Sequence, residues 1–410
     1  MPESPYPMIS VEEALALVLG HVQPLPPVRV LFSEALGLVL AADVYAREPM
    51  PPFAAAAVDG YAIISGDPSP LRRLAGEQQA GHVADLEVGP GSAVRVTTGA
   101  PVPRGADAVV MIEMTSDGLD GQVCIHAPVA PGSNVRPVGQ DLVAGQLVVP
   151  RGTVLGAPEV GLLAMVGQTE VEVHPRPRVA VMSTGDELVE PGGPLQPGQI
   201  RDSNRYSLMS AVREAGGTPF DLGRIPDRAQ AVRRAIQRGI RRADALLTSG
   251  GVSMGRFDLV KPYLARHGTI HFGRVRARPG KPVTFATLDG VPVFAMPGFP
   301  VSALVSFEIY VRPALLRMAG HSRVQRPRRR VALAHAIRHE TGRTEFQRAM
   351  VTRHADGHYT AATTGFQGSG RLLSMRGANA LLVLPAEQEH FPAGSELEVL
   401  VIGQLEEADS

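Results

Sequence analysis

The sequence predicts a multidomain α/β protein: a three-layer α/β unit, an inserted β unit and a small C-terminal β unit. Three observations carry this. Residues 178–322 alternate apolar strands with amphipathic helices, the pattern of a mostly parallel sheet covered on both faces. Residues 48–145 are turn-rich, with short runs such as "SAVRVTTGA", "DAVVMIEM" and "QVCIHAPV" that read as strands. The 410-residue length exceeds what one hydrophobic core usually serves, so several domains are expected.

In chain order, "SVEEALALVLGHV" opens with Ser10 as a helix cap and Glu13 at the reciprocal capping-box position. "GAPEVGLLAMVG" at 156–167 reads as a second helix, followed by the strand "TEVEVHP". If this helix rejoins the first, residues 8–47 and 146–177 make one extended domain and 48–145 is an insertion. "RVAVMST" is then a buried strand, "NRYSLMSAVREAG" a helix ended by Gly216-Gly217, and "FDLGRIPD" a strand with its exit loop. "RAQAVRRAIQRG" is a helix, "ADALLTSGG" a strand and "RFDLVKPYLARHG" a helix. A hairpin-like segment, "RARPGKPVTFATLDG", precedes the strand "VPVFAMPG" and the helix "PVSALVSFEIYVRPALLRMAG". "RPRRR" at 326–330 sits where an interdomain linker is expected, and residues 327–410 read as a small β barrel or sandwich.

Composition narrows the function. Lys+Arg and Asp+Glu are both 40, so no strongly basic unit points to nucleic acid. The single cysteine, Cys124, rules out an intrachain disulfide and a zinc site built on several thiolates. No apolar run reaches the ~18 residues of a membrane helix, and the N-terminus lacks a signal-peptide pattern, so the expectation is a cytoplasmic protein without membrane attachment.

Ligands of open parallel sheets bind where loops leave the carboxyl ends of strands. Each strand of 178–322 ends in a polar or glycine-rich group: "STGDE" (183–187), "PD" (226–227), "TSGGVSMG" (248–255) and "MPGFPVSA" (296–303). These loops should converge on one cleft. The glycine-rich turns, with Ser183, Thr184 and Gly185 in one and Gly250, Gly251 and Ser253 in the other, suit an anionic ligand. Neither is a Walker A loop or a "GxGxxG" fingerprint, which disfavours ordinary kinases, ATPases and NAD-dependent dehydrogenases. Glu187, Asp227 and Asp258 lie in or beside these loops. Carboxylates beside a phosphate cradle indicate Mg²⁺, although each also suits helix capping.

"RPGKP" carries the opposite charge. Arginine supplies 38 of the 40 cations, and Lys281 is one of two lysines. A lysine beyond a Pro-Gly turn reaches a compact oxyanion as a point charge, whereas a merely solvated cation in this chain would be an arginine. Further polar groups are Asp59 in "AAAAVDGYA", Thr97 and Thr98 in "VTTGAPVPRGADAVV", and Asn134, Arg136 and Asp141 in "GSNVRPVGQD". Arg348 and Ser369 stand in "TGRTEFQRAM" and "TTGFQGSGRLLSM".

With these motifs in hand, the chain resembles the molybdopterin molybdenumtransferase family, the bacterial MoeA proteins and the E domains of gephyrin type. "TTGAPVPRGADAVVMIE", "NVRPVGQD", "STGDEL", "DSN" (202–204), "TSGGVSMGRFD", "RPGKP", "MPGFPVSALVSFE" and "FQGSG" fall in family order from about Asp59 to Arg371. The resemblance implies a molybdopterin-binding α/β domain and a C-terminal β barrel, hence domains 8–47 plus 146–177, 48–145, 178–322 and 327–410. It implies insertion of molybdate into adenylylated molybdopterin with Mg²⁺-dependent release of AMP, by a homodimer. Substrate would come from a molybdopterin adenylyltransferase, and product would pass to molybdoenzymes. Glu187, Asp227 and Asp258 resemble the residues around metal and phosphate, and Asp59, Thr98 and Asp141 those contributed by the insertion. Arg278, Lys281, Pro282, Ser302, Arg348 and Ser369 resemble the molybdate pocket, with Pro297 in the neighbouring loop.

Three departures stand out. The family pattern "DNSAMDGYA" is here "AAAAVDGYA", "PGNPVS" is "PGFPVS" with Phe299, and "KPGKP" is "RPGKP". Phe299 suits either stacking on a ligand or filling space. The alternatives to the transferase are an adenylyltransferase, which would need neither the insertion nor the barrel, and a non-catalytic scaffold, which would not need charged cleft residues.

Overall fold

Strand alternation explains the core of the α/β unit. The computed structural model describes residues 6–251 and 259–407. It divides into two units, one formed by Leu31–Ser33 and Ala42–Val171, the other by the N-terminal segment, Glu34–Ala41 and the chain from Glu172 onward.

In the first unit, the strands β1 (Gly60–Ile63), β2 (Leu71–Gln78), β3 (Ser92–Val96), β4 (Ala108–Met111), β5 (Thr115–Asp117) and β6 (Gln122–Ile125) form one sheet in the order β4-β1-β3-β2-β6-β5. Its two faces bury separate clusters, Ala62, Val94 and Val109 on one and Tyr61, Ala93 and Val110 on the other. Part of the alanine run is packed: Ala55–Ala56 is a short buried strand paired with Val135–Arg136, while Ala57 is exposed. The helix α2 (Ala157–Met165), predicted from sequence, also lies in this unit.

The other unit opens with α1 (Val11–Gly20). Ser10 Oγ accepts from the Glu13 N–H at 3.0 Å, and the Glu13 carboxylate accepts from the Ser10 N–H at 2.7 Å, the predicted capping box. The central sheet contains β7 (Arg178–Thr184), β8 (Thr218–Ile225), β9 (Ala245–Ser249), β10 (Thr269–Phe272), β11 (Thr284–Leu288) and β12 (Val291–Met296), in the order β8-β7-β9-β12-β11-β10. The first four strands of that order are parallel, β11 runs antiparallel to β12, and β10, antiparallel to β11, returns to the direction of the first four. Because side chains alternate across a strand, Val179, Val181, Ala245 and Leu247 face one layer while Ala180, Met182 and Leu246 face the other. The first layer holds α1, α3 (Asn204–Glu214), α6 (Pro300–Ser306) and α7 (Arg312–Met318); the second holds α4 (Ala229–Arg242) and α5 (Val260–His267). This is the predicted three-layer sandwich.

Two local expectations are corrected. The hairpin turn falls at Asp289-Gly290, both with positive φ, joining β11 to β12, and not at Pro279-Gly280. Ala277–Arg278 instead pairs with Thr344–Glu345 of the C-terminal unit. The basic run is not a linker: Arg328–Leu333 is the strand β13, and Arg328 and Arg330 pair with Glu398 and Glu396 of the facing strand at 2.6 and 3.2 Å. Strands β14 (Thr344–Arg353), β15 (Tyr359–Thr363), β16 (Ala380–Leu384) and β17 (Glu396–Val401) complete a ring, β13-β15-β14-β16-β17-β13. The ring closes on itself, so this unit is a five-stranded barrel, leaving no free edge among these strands.

One charged group lies inside the α/β unit. Arg205, on the first turn of α3, is 3% exposed and donates to Asp202 at 3.0 Å, to Glu190 at 2.6 Å and to Asp221. Burial alone would push the guanidinium down, but the hydrogen bonds and charges of Asp221 and Asp202 hold it above its ordinary value. Glu190 and Asp221 also reach water, but Asp202 is buried, so removing Arg205 leaves that carboxylate buried and uncompensated. Arg205→Met is therefore expected to lower unfolding stability by about 3 kcal/mol, read as a lower midpoint in a urea titration.

Candidate active site

Described residues of three of the four predicted loops, those after β7, β9 and β12, line one cleft, and the fourth, after β8, joins the first through Asp227 and Asp186. The cleft holds about 690 Å³, within the ~300–1,000 Å³ usual for small-molecule sites. Thr184, Glu187, Gly250, Gly251, Pro282 and Pro297 line it, as do Asn204, Phe299 and Gly370.

Hydrogen bonds under the cleft fix the loops. Ser183 is fully buried, and its hydroxyl donates to Asp202, which also accepts from the Arg205 backbone at 3.2 Å. The Asn204 amide donates to Ser249 Oγ at 2.7 Å and to the Gly298 carbonyl at 2.8 Å, joining three loops through one side chain. Among the described residues, three buried polar atoms at this end have no hydrogen-bond partner: Asn204 Oδ1, Thr184 Oγ1 and Thr248 Oγ1. Buried polar atoms are normally satisfied by protein, water or ligand, so these three leave hydrogen-bonding capacity at the loops. Gly250 and Gly251 have φ of +85° and +71°. A Cβ on Gly250 would come 2.7 Å from the Thr184 carbonyl oxygen. The loop is thus held close to β7 without side chains of its own.

Carboxylates gather at one margin. The Asp227 N–H donates to Asp186 Oδ1 at 3.2 Å. Burial raises the Asp227 carboxyl above its ordinary range, and the nearby charges of Asp186 and Glu187 push the same way. Negative charge collected in this manner favours a cation. Among the described residues no group of three or more His, Cys, Asp or Glu is placed to hold a metal ion, but Mg²⁺ commonly takes only one or two carboxylates, completing its shell with water and substrate phosphate. Asp186 and Glu187 beside Asp227 fit that pattern. Asp258 and Ser253 lie outside the described residues.

The cationic set is divided. Lys281 is exposed, and among the described residues its ammonium pairs with no carboxylate. Arg278 lines a second, polar cavity of about 600 Å³ on the barrel, where it pairs with Glu340 at 3.1 Å and approaches Glu345 at 3.8 Å. Arg348, on β14, is 0% exposed. Its Nε donates to Ser374 Oγ at 3.1 Å and its Nη1 to the Phe346 carbonyl at 3.3 Å, while Nη2 has no partner among the described residues. Burial pushes this guanidinium down to about 10, against the pull of Glu345. Ser302 is buried in the first turn of α6, and the Ser369 carbonyl accepts the Val301 N–H at 3.0 Å, which brings the Ser369 loop against that turn.

The remaining predicted residues belong to the other unit. Asp59 Oδ1 accepts from the Thr98 N–H at 2.6 Å and its hydroxyl at 2.8 Å. These bonds hold the Asp59 carboxyl below its usual range. Asp141 is ion-paired with Arg136. Sequence reasoning gave no role to Asp186, Asp202, Asn204 or Arg205. The available signal was the charge density of "STGDE" and "DSNR", which reads equally well as helix capping.

Comparison with known proteins decides the family. Residues 9–167 match the MoeA N-terminal region (domain I and II), 180–317 a probable molybdopterin binding domain, and 330–402 the MoeA C-terminal region (domain IV). The chain is 36% identical over 406 residues to molybdopterin molybdenumtransferase 2 of Mycobacterium tuberculosis, covering 96% of this chain and 99% of that protein. The chain belongs to the MoeA family. It is also similar to gephyrin of Dictyostelium discoideum, 34% identical over 454 residues and 98% of this chain, and spans 63% of that longer protein. A crystal structure of the molybdopterin biosynthesis MoeA protein from Pyrococcus horikosii superposes with a TM-score of 0.84 at 31% identity, covering 97% of this chain and all of that one.

The glycine geometry of this MoeA-family cleft is open to test. Gly250→Ala combines a positive φ with a backbone clash and is expected to cost ~1–3 kcal/mol, seen as a lower thermal midpoint. Gly192→Ala, with nothing within 4 Å of its added Cβ, should leave the midpoint nearly unchanged.

Proposed function

We propose that the chain is a molybdopterin molybdenumtransferase that inserts molybdate into adenylylated molybdopterin and releases AMP. The observation that carries this reading is one cleft whose glycine loop, Gly250-Gly251, adjoins a carboxylate margin at Glu187, Asp186 and Asp227. A bare backbone loop admits a phosphate group closely, and the carboxylates suit the cation that accompanies a phosphoanhydride. Mg²⁺ held by Glu187 and Asp227, with Asp258 as a further ligand in this reading, would neutralise charge developing on the phosphate oxygens.

The chain's own residues account for the other functions. Ser183 and Thr184 shape the turn before Gly185, and Asn204 keeps Ser249 and Gly298 at fixed separation, so the substrate meets preorganised loops. Molybdate is a tetrahedral dianion and calls for cations and hydroxyl donors. Lys281, Pro282, Ser302, Ser369 and the unpartnered Nη2 of Arg348 form the proposed set, with Arg278 available once it leaves Glu340. Asp59, Thr98 and Asp141 are assigned to the same reaction by the family relationship. The same relationship supports a cytoplasmic homodimer, substrate from a molybdopterin adenylyltransferase, delivery to molybdoenzymes, and domains at 8–47 plus 146–177, 48–145, 178–322 and 327–410. No helix among the described residues is long and apolar enough to cross a membrane.

Purified protein given adenylylated molybdopterin, Mg²⁺ and molybdate is expected to release AMP and yield active cofactor; a folded sample releasing no AMP overturns the reading. Lys281→Ala should raise the half-saturating molybdate concentration about tenfold, the scale of one lost charge-assisted hydrogen bond, with little change for the pterin substrate. An unchanged molybdate response removes Lys281 from the site. Asp227→Asn should raise the Mg²⁺ concentration needed for AMP release, and a Mg²⁺ titration identical to that of the parent protein contradicts its assignment.

A further inference from the structure

Phe299 has the wrong environment for a space-filling aromatic. The residue is 62% exposed and lines the cavity. Its mount is nevertheless rigid. The preceding carbonyl, of Gly298, accepts from Asn204 at 2.8 Å, and the Phe299 carbonyl accepts the Ala303 N–H at 3.0 Å. Pro300 follows as the first residue of α6. On one side a ring carbon lies 3.5 Å from the position a Cβ on Gly370 would take, so the ring sits beside this loop. An apolar ring fixed by its backbone and open to the cleft is a platform for a flat ligand.

We propose that Phe299 is the stacking platform for the pterin ring system of the substrate, and that it sets how tightly this chain holds molybdopterin. This rests on the transferase reading above. The substrate offers two flat heterocycles, adenine and pterin, and position separates them. Phe299 touches Gly370, the neighbour of Ser369, and the Val301 N–H two residues along bonds the Ser369 carbonyl. The platform therefore adjoins the residues assigned to molybdate. Molybdenum is transferred to the dithiolene, which belongs to the pterin-bearing half of the substrate, whereas adenine lies beyond the phosphates. The ring beside the oxyanion pocket must then be the pterin. The second cleft wall also carries apolar side chains, Leu188 and Ile200, consistent with a heterocycle rather than a bare ion.

The chain contains no tryptophan, so Phe299→Trp places a single emitter at the platform. In the full-length protein, molybdopterin and adenylylated molybdopterin are expected to quench its emission, and AMP alone is not. Direct titration should show molybdopterin binding to Phe299→Ala about tenfold more weakly than to the parent, the scale of one lost stacking contact, with Phe299→Tyr close to the parent. Quenching by AMP equal to that by adenylylated molybdopterin, no quenching by any of the three, or equal molybdopterin affinity in Phe299→Ala overturns the proposal. The outcome is separable from the reaction itself. Quenching by molybdopterin in a protein that releases no AMP keeps the platform and loses the transferase reading. AMP release with no quenching does the reverse.

Discussion

The cleft depends on a buried charge. Arg205 lies under it at 3% exposure, and its partners come from separate pieces of chain: Asp202 before α3, Asp221 on β8, and Glu190 beyond the "STGDE" loop. Asp202 in turn accepts the Ser183 hydroxyl at the end of β7. The end of β7, the start of α3, strand β8 and the segment after the "STGDE" loop are thereby linked through one guanidinium. Such a network need not add net stability, since desolvating the charges offsets much of their attraction. Its effect is geometric. Asp202, buried with Arg205, depends on this arrangement for its partners, and the preceding side chain of α3, Asn204, is directed at Ser249 and Gly298.

From that base the charges sort by side. Carboxylates cluster at Asp186, Glu187 and Asp227, where burial and mutual repulsion raise Asp227. Cations stand on the "RPGKP" side, but in unequal states. Arg278 is engaged with Glu340 and Glu345, so it can meet a ligand only by exchanging partners. Lys281 is exposed and pairs with no carboxylate among the described residues. The scarcity of lysine in this chain therefore coincides with a difference in availability. The arginine is held by the barrel, and the lysine is free to follow an oxyanion.

The architecture was legible because strand–helix alternation and strand-end polarity are periodic properties that short-range physics imposes. The three-layer sheet, the convergence of Thr184, Glu187 and Gly250, and the capping box of α1 all follow from such patterns. What was not legible depended on partners distant in sequence. "RPRRR" looks like a solvated linker until Glu396 and Glu398 stand across from it. The β10 strand is four residues long and carries no alternation strong enough to announce itself. "AAAAVDGYA" looked like a loss of polar groups, yet Ala55 and Ala56 are buried against Val135 and Arg136. Arg348 gave no sign that it would be wholly enclosed by a barrel strand.

That enclosure bears on the state of Arg348 itself. A guanidinium removed from water is held in its charged form only at a cost, which is why burial lowers Arg348 to about 10. Two of its nitrogens are satisfied by Ser374 and Phe346, and neither partner carries charge. Glu345 acts only through space. Among the described residues Nη2 has no hydrogen-bond partner, which leaves a charge that an anion would satisfy. Arg348 is wholly buried and lines neither cavity, so in this conformation its guanidinium is a charge behind the wall and not a group that a ligand touches.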